Sequence, residues 1–205
     1  KDSKNCSKIV DQIVNPLVPV TAKSDVKPVT CFGSNNGSVT LEGLTGVAPY
    51  EFNFDNRGFD SATTYSGLAG SVAGTKYTYI VKDAKGCTET YEITVFQPAD
   101  ITLTAGISTT YTCDHSATIT AIASNGNGTF TYTLNRGGSA VASNDTGIFT
   151  NITAAGVYTV TATDAKGCSK TESAGTISAL NPPKGLTITK SALTCPTNKV
   201  TFSIT

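Results

Sequence analysis

Residues 76–96 read KYTYIVKDAKGCTETYEITVF, two runs of alternating apolar and polar residues on either side of the tetrad Asp83-Ala84-Lys85-Gly86. Alternation with period two marks a half-buried β-strand, and a short turn between two such runs predicts an antiparallel hairpin. Asp83 suits the opening of a type I turn, and Gly86 supplies a positive φ before the second strand. The same pentad, DAKGC, returns at 164–168, where GVYTVTATD (156–164) runs into it. A weaker copy, DSKNC, stands at 2–6, with Asn5 in the glycine position; Asn is the non-glycine residue that best tolerates a left-handed backbone.

The cysteines extend this local repeat to the whole chain. They fall at 6, 31, 87, 113, 168 and 195, with successive differences of 25, 56, 26, 55 and 27. Every second cysteine is therefore 81 or 82 residues from its counterpart, a fixed period that identifies a tandem array. Pro16, Pro98 and Pro182 recur after each DxKxC cysteine, and proline fits poorly inside a sheet, so they mark the boundaries. The expected organisation is the C-terminal strand of a preceding repeat (1–17), complete repeats at 18–98 and 99–182, and the start of a following repeat (183–205).

Within each repeat the alternating runs are short. In the second they are ITLTA (101–105), ATITAIA (117–123), FTYTLN (130–135), GVYTVTATD and a strand after Cys168; in the first, SVTLE (38–42), YEFNF (50–54), KYTYIVKD (76–83) and TETYEITVF (88–96). No stretch has a helical period. About seven short strands per repeat, separated by Gly, Asn, Ser and Asp, predict an all-β chain. The expected fold is a tandem, head-to-tail array of immunoglobulin/fibronectin-III-like antiparallel β-sandwich repeats, with a barrel as the alternative. Leu68 with Tyr77, and Ile152 with Gly156 and Tyr158, resemble the Leu, Gly, Tyr corner that opens the sixth strand of fibronectin type III domains.

Composition agrees with a β-rich chain: 205 residues include 35 Thr and 19 Gly, with no Met and no Trp. Fifteen basic residues balance fifteen acidic ones, which leaves no field to attract phosphate, so nucleic acid is not an expected partner. No apolar run reaches the roughly 20 residues of a membrane-spanning helix, and no membrane insertion of this segment is expected. The opening KDSKNC holds no initiating Met, basic segment or apolar core of a signal, so the chain reads as an interior piece of something longer.

His115 is the only histidine and no two cysteines are close in sequence, so neither zinc nor another cofactor is expected. Disulfides are expected at Cys6, Cys31, Cys87, Cys113, Cys168 and Cys195, which implies an oxidising compartment. Two pairings stand open. One joins Cys31 to Cys87 and Cys113 to Cys168 within repeats. The other joins Cys31 to Cys168 across the junction. Strand geometry favours the second: Cys31 ends the first strand and Cys87 begins the last, which puts them at opposite poles about 20 Å apart, whereas a disulfide needs Cα atoms within about 7 Å.

CFGSNNGSVTLE (31–42), APYEFNF (48–54) and LAGSVAGTKYTYIVKDAKGC (68–87), followed by a strand that ends near a proline, together resemble the SprB-type repeat of giant surface adhesins in gliding Bacteroidota. The second repeat departs from that pattern at CDHSATIT and TFTYTL and returns to it at DAKGC. The resemblance implies type IX secretion, display on the bacterial cell surface, cell adhesion and gliding motility. It also implies contact with a substratum or surface polysaccharide and with the gliding or secretion machinery. Repeats in series make a filament whose length scales with copy number, so further copies in the same chain are the expected partners.

No catalysis is expected, since a lone histidine leaves no repeated triad. Asp55 and Asp60, in DNRGFD, read as solvated loop charges. Phe59 is the candidate sugar contact, while Tyr65 aligns with Phe149 as a core or strand residue. Ser61, in Asp60-Ser61-Ala62, resembles a bacterial O-glycan acceptor and is the candidate glycan attachment. The alternative function is an accessory stalk or carbohydrate-binding sandwich of a large secreted enzyme.

Overall fold

The computed structural model describes residues 3, 4, 7, 18–181, 188–190 and 202–204. Cys6, Cys195, Pro16 and Pro182 lie outside the described residues, as do most of the segments 1–17 and 183–205. Among the described residues every regular element is a β-strand. The chain divides into two compact units: Lys1–Thr102 with Ser124–Thr129 and Asp164–Cys168, and Leu103–Ala123 with Phe130–Thr163 and Ser169–Thr205.

The first repeat folds as a seven-stranded sandwich. One sheet has the order β1 (Thr21–Lys27), β2 (Gly37–Thr45), β5 (Thr64–Leu68), and the other the order β4 (Phe59–Asp60), β3 (Glu51–Phe54), β6 (Thr75–Lys82), β7 (Thr88–Val95). All these pairings are antiparallel. The period-two pattern does what it predicts: Val39, Leu41, Phe52, Phe54, Tyr79, Val81, Ile93 and Val95 are all buried in one core. Phe54 is stacked between Tyr65 and Tyr77, with ring centroids 4.5 and 5.7 Å away, and the Arg57 guanidinium lies 5.9 Å from the Phe54 ring centre.

The second repeat has the same strand order. Its sheets are β8 (Thr102–Thr109), β9 (Ala117–Ser124), β12 (Ile148–Ile152), and β11 (Ser139–Asn144), β10 (Phe130–Arg136), β13 (Gly156–Asp164), β14 (Ser169–Ile177). Ala117, Ile119, Tyr132, Leu134, Tyr158, Val160 and Ala162 fill its core. Beyond it, β15 (Ile188–Lys190) pairs antiparallel with β16 (Phe202–Ile204).

The two tyrosines of the resembled corner have one job in common. The Tyr77 hydroxyl donates to the Ala69 carbonyl at 3.0 Å, and the Tyr158 hydroxyl donates to the Ala154 carbonyl at 2.7 Å. Each pins the connection before the sixth strand of its sandwich, as in the tyrosine corner of immunoglobulin-type folds. Leu68 and Ile152 are buried beside them.

Two substitutions separate core packing from the corner bond. Ile119 is fully buried, so Ile119→Ala should destabilise the second sandwich by about 2–5 kcal/mol through transfer and cavity costs. Tyr158→Phe should cost about 1 kcal/mol, the net contribution of one hydrogen bond. Urea denaturation followed by circular dichroism measures both.

Candidate functional site

Asp83 and Asp164, in the two DAKGC turns, are the buried charged side chains among the described residues. In the first, the Asp83 carbonyl accepts from Gly86 N–H at 2.9 Å, closing the expected turn, and Gly86 has φ of 82°. The Asp83 carboxylate bends back under the turn. Its Oδ1 accepts the backbone N–H of Lys85 and of Cys87, each at 2.9 Å, and its Oδ2 accepts Val47 N–H at 3.0 Å. Gly46, at φ of 99°, precedes Val47; a Cβ there would stand 2.9 Å from Asp83 Oδ2 and 3.2 Å from Val20. Neither the conformation nor the space admits a side chain.

The second turn repeats this. Asp164 Oδ1 accepts Lys166 N–H at 2.9 Å and Cys168 N–H at 3.0 Å, while Oδ2 accepts Asn127 N–H at 2.8 Å. Gly126 replaces Gly46, with a Cβ position 2.9 Å from Asp164 Oδ2. Both carboxylates are almost fully buried, at 4% and 5% exposure. Burial opposes ionisation of Asp83, but the donors Val47, Cys87, Lys85 and Gly86 outweigh it and hold the carboxyl below the usual range. Asp164 is likewise held low against burial, chiefly by the Asn127 side chain and then by the Lys166, Asn127 and Cys168 N–H groups.

Where the copies differ, the disulfide appears. Within the first compact unit, Cys31 and Cys168 are bonded, with Cα atoms 5.6 Å apart and a sequence separation of 137. Asn127 stands where the first repeat has Val47. Its side-chain amide donates to Asp164 Oδ2 and to the Thr30 carbonyl, each at 2.9 Å. A single amide thus ties the buried carboxylate to the backbone of the residue before Cys31.

The structure also explains why the within-repeat pairing does not form. Val29 N–H donates to the Phe96 carbonyl and Gly33 N–H to Gln97 Oε1, so the Cys31 loop sits at the end of β7. Cys87 sits immediately before its start. The eight residues of β7 span about 26 Å. Cys87, half-buried, and Cys113, exposed, carry free thiols among the described residues.

The remaining candidates are dispersed. Phe59 lies on the two-residue strand β4, 39% exposed, with Lys82 Nζ 4.3 Å from its ring centre. An ammonium group thus lies over one face of the ring. Ser61 is exposed in the bend after β4. Asp60 Oδ1 accepts the Ala62 N–H at 2.8 Å and the Tyr65 hydroxyl at 2.9 Å. Burial, followed by the bond to Asp60, pushes the Tyr65 hydroxyl up to about 12. Tyr65 and Phe149 are both core residues, the alignment the sequence suggested. Asp55 adopts φ of 52° at the start of the β3–β4 turn. His115 N–H donates to Thr112 Oγ1 in the β8–β9 loop. Among the described residues no three His, Cys, Asp or Glu side chains converge on a metal position, and no helix is long and apolar enough to cross a membrane. Asn127 is the site residue that sequence reasoning missed.

The depressed carboxyls set a pH dependence. An aspartate whose folded pKa lies below its unfolded value stabilises the fold above the unfolded pKa of about 3.9, and that stability is lost as pH falls through the folded pKa. The melting temperature should be flat from pH 7 to pH 5 and fall below about pH 4. Asp83→Asn together with Asp164→Asn should lower it by several degrees at pH 7 and flatten the acid limb, as read by calorimetry. In the chain-entropy picture a loop of this length contributes about 5 kcal/mol at most, so Cys168→Ser should lower the urea midpoint toward that of the reduced protein.

The SprB repeat family matches the chain over residues 23–58, a span that begins in β1 and includes Cys31, β2 and β3. No curated protein matches the chain. Among solved structures, the fibronectin(III)-like modules of CbhA from Clostridium thermocellum are similar at 14% identity and a TM-score of 0.36, over 78% of this chain and 93% of theirs. The amphioxus IgVJ-C2 molecule is similar at 16% identity and a TM-score of 0.32, over 80% of this chain and 99% of its own. Residues 23–58 thus match the SprB repeat family, in the stretch where CFGSNNGSVTLE and APYEFNF resemble it.

Proposed function

We propose that this chain is a load-bearing, non-catalytic segment of a long secreted filament on a bacterial cell surface, in which each repeat is covalently tied to the next. The observation that carries this reading is the Cys31–Cys168 bond. It joins the loop after the first strand of one repeat to the DAKGC turn of the following repeat. Such a bond persists in oxidising compartments outside the cytoplasm, and the SprB match at 23–58 supports surface display. Adhesion, gliding, export by the type IX route, and contact with a substratum or surface polysaccharide belong to this proposal through that family resemblance.

The free thiols fit the same scheme. Cys87 ends a turn whose hydrogen bonds duplicate those around Cys168, and Cys113 occupies the Cys31 position of the second repeat. By the same rule, Cys87 pairs with a Cys31-type cysteine one repeat upstream, and Cys113 with a DAKGC cysteine one repeat downstream. Non-reducing peptide mapping of the native full-length protein tests this. Cys113 should appear linked to the next repeat's DxKxC cysteine; free Cys87 and Cys113 thiols in the native protein would overturn the scheme.

Load-bearing is tested by pulling the oxidised 205-residue chain from both ends in a force spectrometer. Residues 32–167, inside the disulfide, should add nothing to the contour length until reduction, then add about 480 Å at about 3.5 Å per residue.

A further inference from the structure

The second sandwich has a cleft that the first has filled. It lies between the edge strands β11 and β12, has a volume of about 570 Å³, and is floored by Leu134, Phe149 and Tyr158. Leu134 occupies the position of Phe54, the residue whose ring is stacked between Tyr65 and Tyr77 in the first sandwich. Exchange of that ring for a leucine side chain removes the filling, and the space opens to solvent. The volume is within the range of small-ligand sites.

The lining has an uncompensated charge. Arg136 stands at the end of β10, and among the described residues no carboxylate or hydrogen-bond acceptor is paired with it. Its aliphatic stem lies against Gly156, where a Cβ would come within 3.0 Å. Glycine there lets the stem lie flat and holds the guanidinium at the cleft. Thr150, Asn151 and Thr153 add hydroxyl and amide groups, and Val141 and Ile148, each about half exposed, add aliphatic surface. The polar backbone at the mouth is already engaged: Asn144 donates to the Ile148 carbonyl and accepts from Thr146 and Gly147. What the side chains of the cleft offer a ligand is therefore hydroxyl and amide groups around one cation.

We infer that this cleft binds a carboxylate-bearing saccharide, with Arg136 holding the carboxylate and the Thr and Asn side chains meeting ring hydroxyls. A guanidinium matches a carboxylate through two parallel hydrogen bonds, the aliphatic walls match the C–H faces of a sugar ring, and an open, mixed lining suits a hydrated ligand. The inference stands apart from the load-bearing role, since it uses none of the cysteines or DAKGC turns.

Titration of the oxidised 205-residue chain with galacturonate oligomers, followed by amide chemical-shift mapping and calorimetry, tests it. Maltose oligomers and an Asp-rich peptide serve as comparison ligands. Galacturonate oligomers should shift the amides of 136 and 148–153. Arg136→Gln, an exposed substitution, should weaken binding at least tenfold, and Leu134→Phe should abolish it by restoring the ring of the first sandwich. If Leu134→Phe does not fold, Arg136→Gln alone decides. No shift with galacturonate, equal binding of the neutral oligomer, tighter binding of the peptide, or undiminished binding by Arg136→Gln would each overturn the inference.

Discussion

A buried carboxylate that accepts backbone N–H groups organises each repeat. Asp83 and Asp164 each satisfy donors of their own turn and one from a loop far away in sequence. Left unpaired, such donors would cost free energy comparable to a lost hydrogen bond apiece. The carboxylate thus decides two things together: the hairpin turn closes, and the distant loop, at Val47 or at Asn127, is held against it. The glycines at 46 and 126 are the steric condition for this, because the distant loop must come close enough to donate. Cys168 takes its position from that arrangement, and the disulfide follows from it.

Much of this was legible in the sequence, because the signal was repetition. The cysteine period, the duplicated DAKGC and the alternating runs located nine of the fourteen strands between residues 21 and 177. The strands that escaped are β1 and the edge strands β4, β5, β11 and β12. No side chain of TAKSDVK in β1 or SAVASN in β11 is fully buried, so neither carries a clear alternation; they are held largely by ladder bonds to a neighbour, which composition does not encode. The Tyr77 and Tyr158 pair was visible as a resemblance, though only the structure shows that both hydroxyls return to the backbone.

The site was half legible. Strand polarity separated Cys31 from Cys87 before any coordinates, since antiparallel order fixes which ends meet. Asn127 was invisible because its role depends on side-chain reach in three dimensions: one amide bonding the Thr30 carbonyl and the Asp164 carboxylate together. Equally, nothing in FTYTLN announces a cleft. That reading needs the knowledge that Phe54 fills the corresponding space in the sister sandwich, a comparison of volumes rather than of patterns.

The placement of the disulfide also changes what a protease can accomplish. Because its two sulfurs bracket residues 32 through 167, any single peptide bond hydrolysed in that interval leaves both fragments attached. The exposed edge strand β11 lies inside it, as does the β8–β9 loop. Severing the chain there takes two separate events, a cut and a reduction, a redundancy that packing alone does not provide.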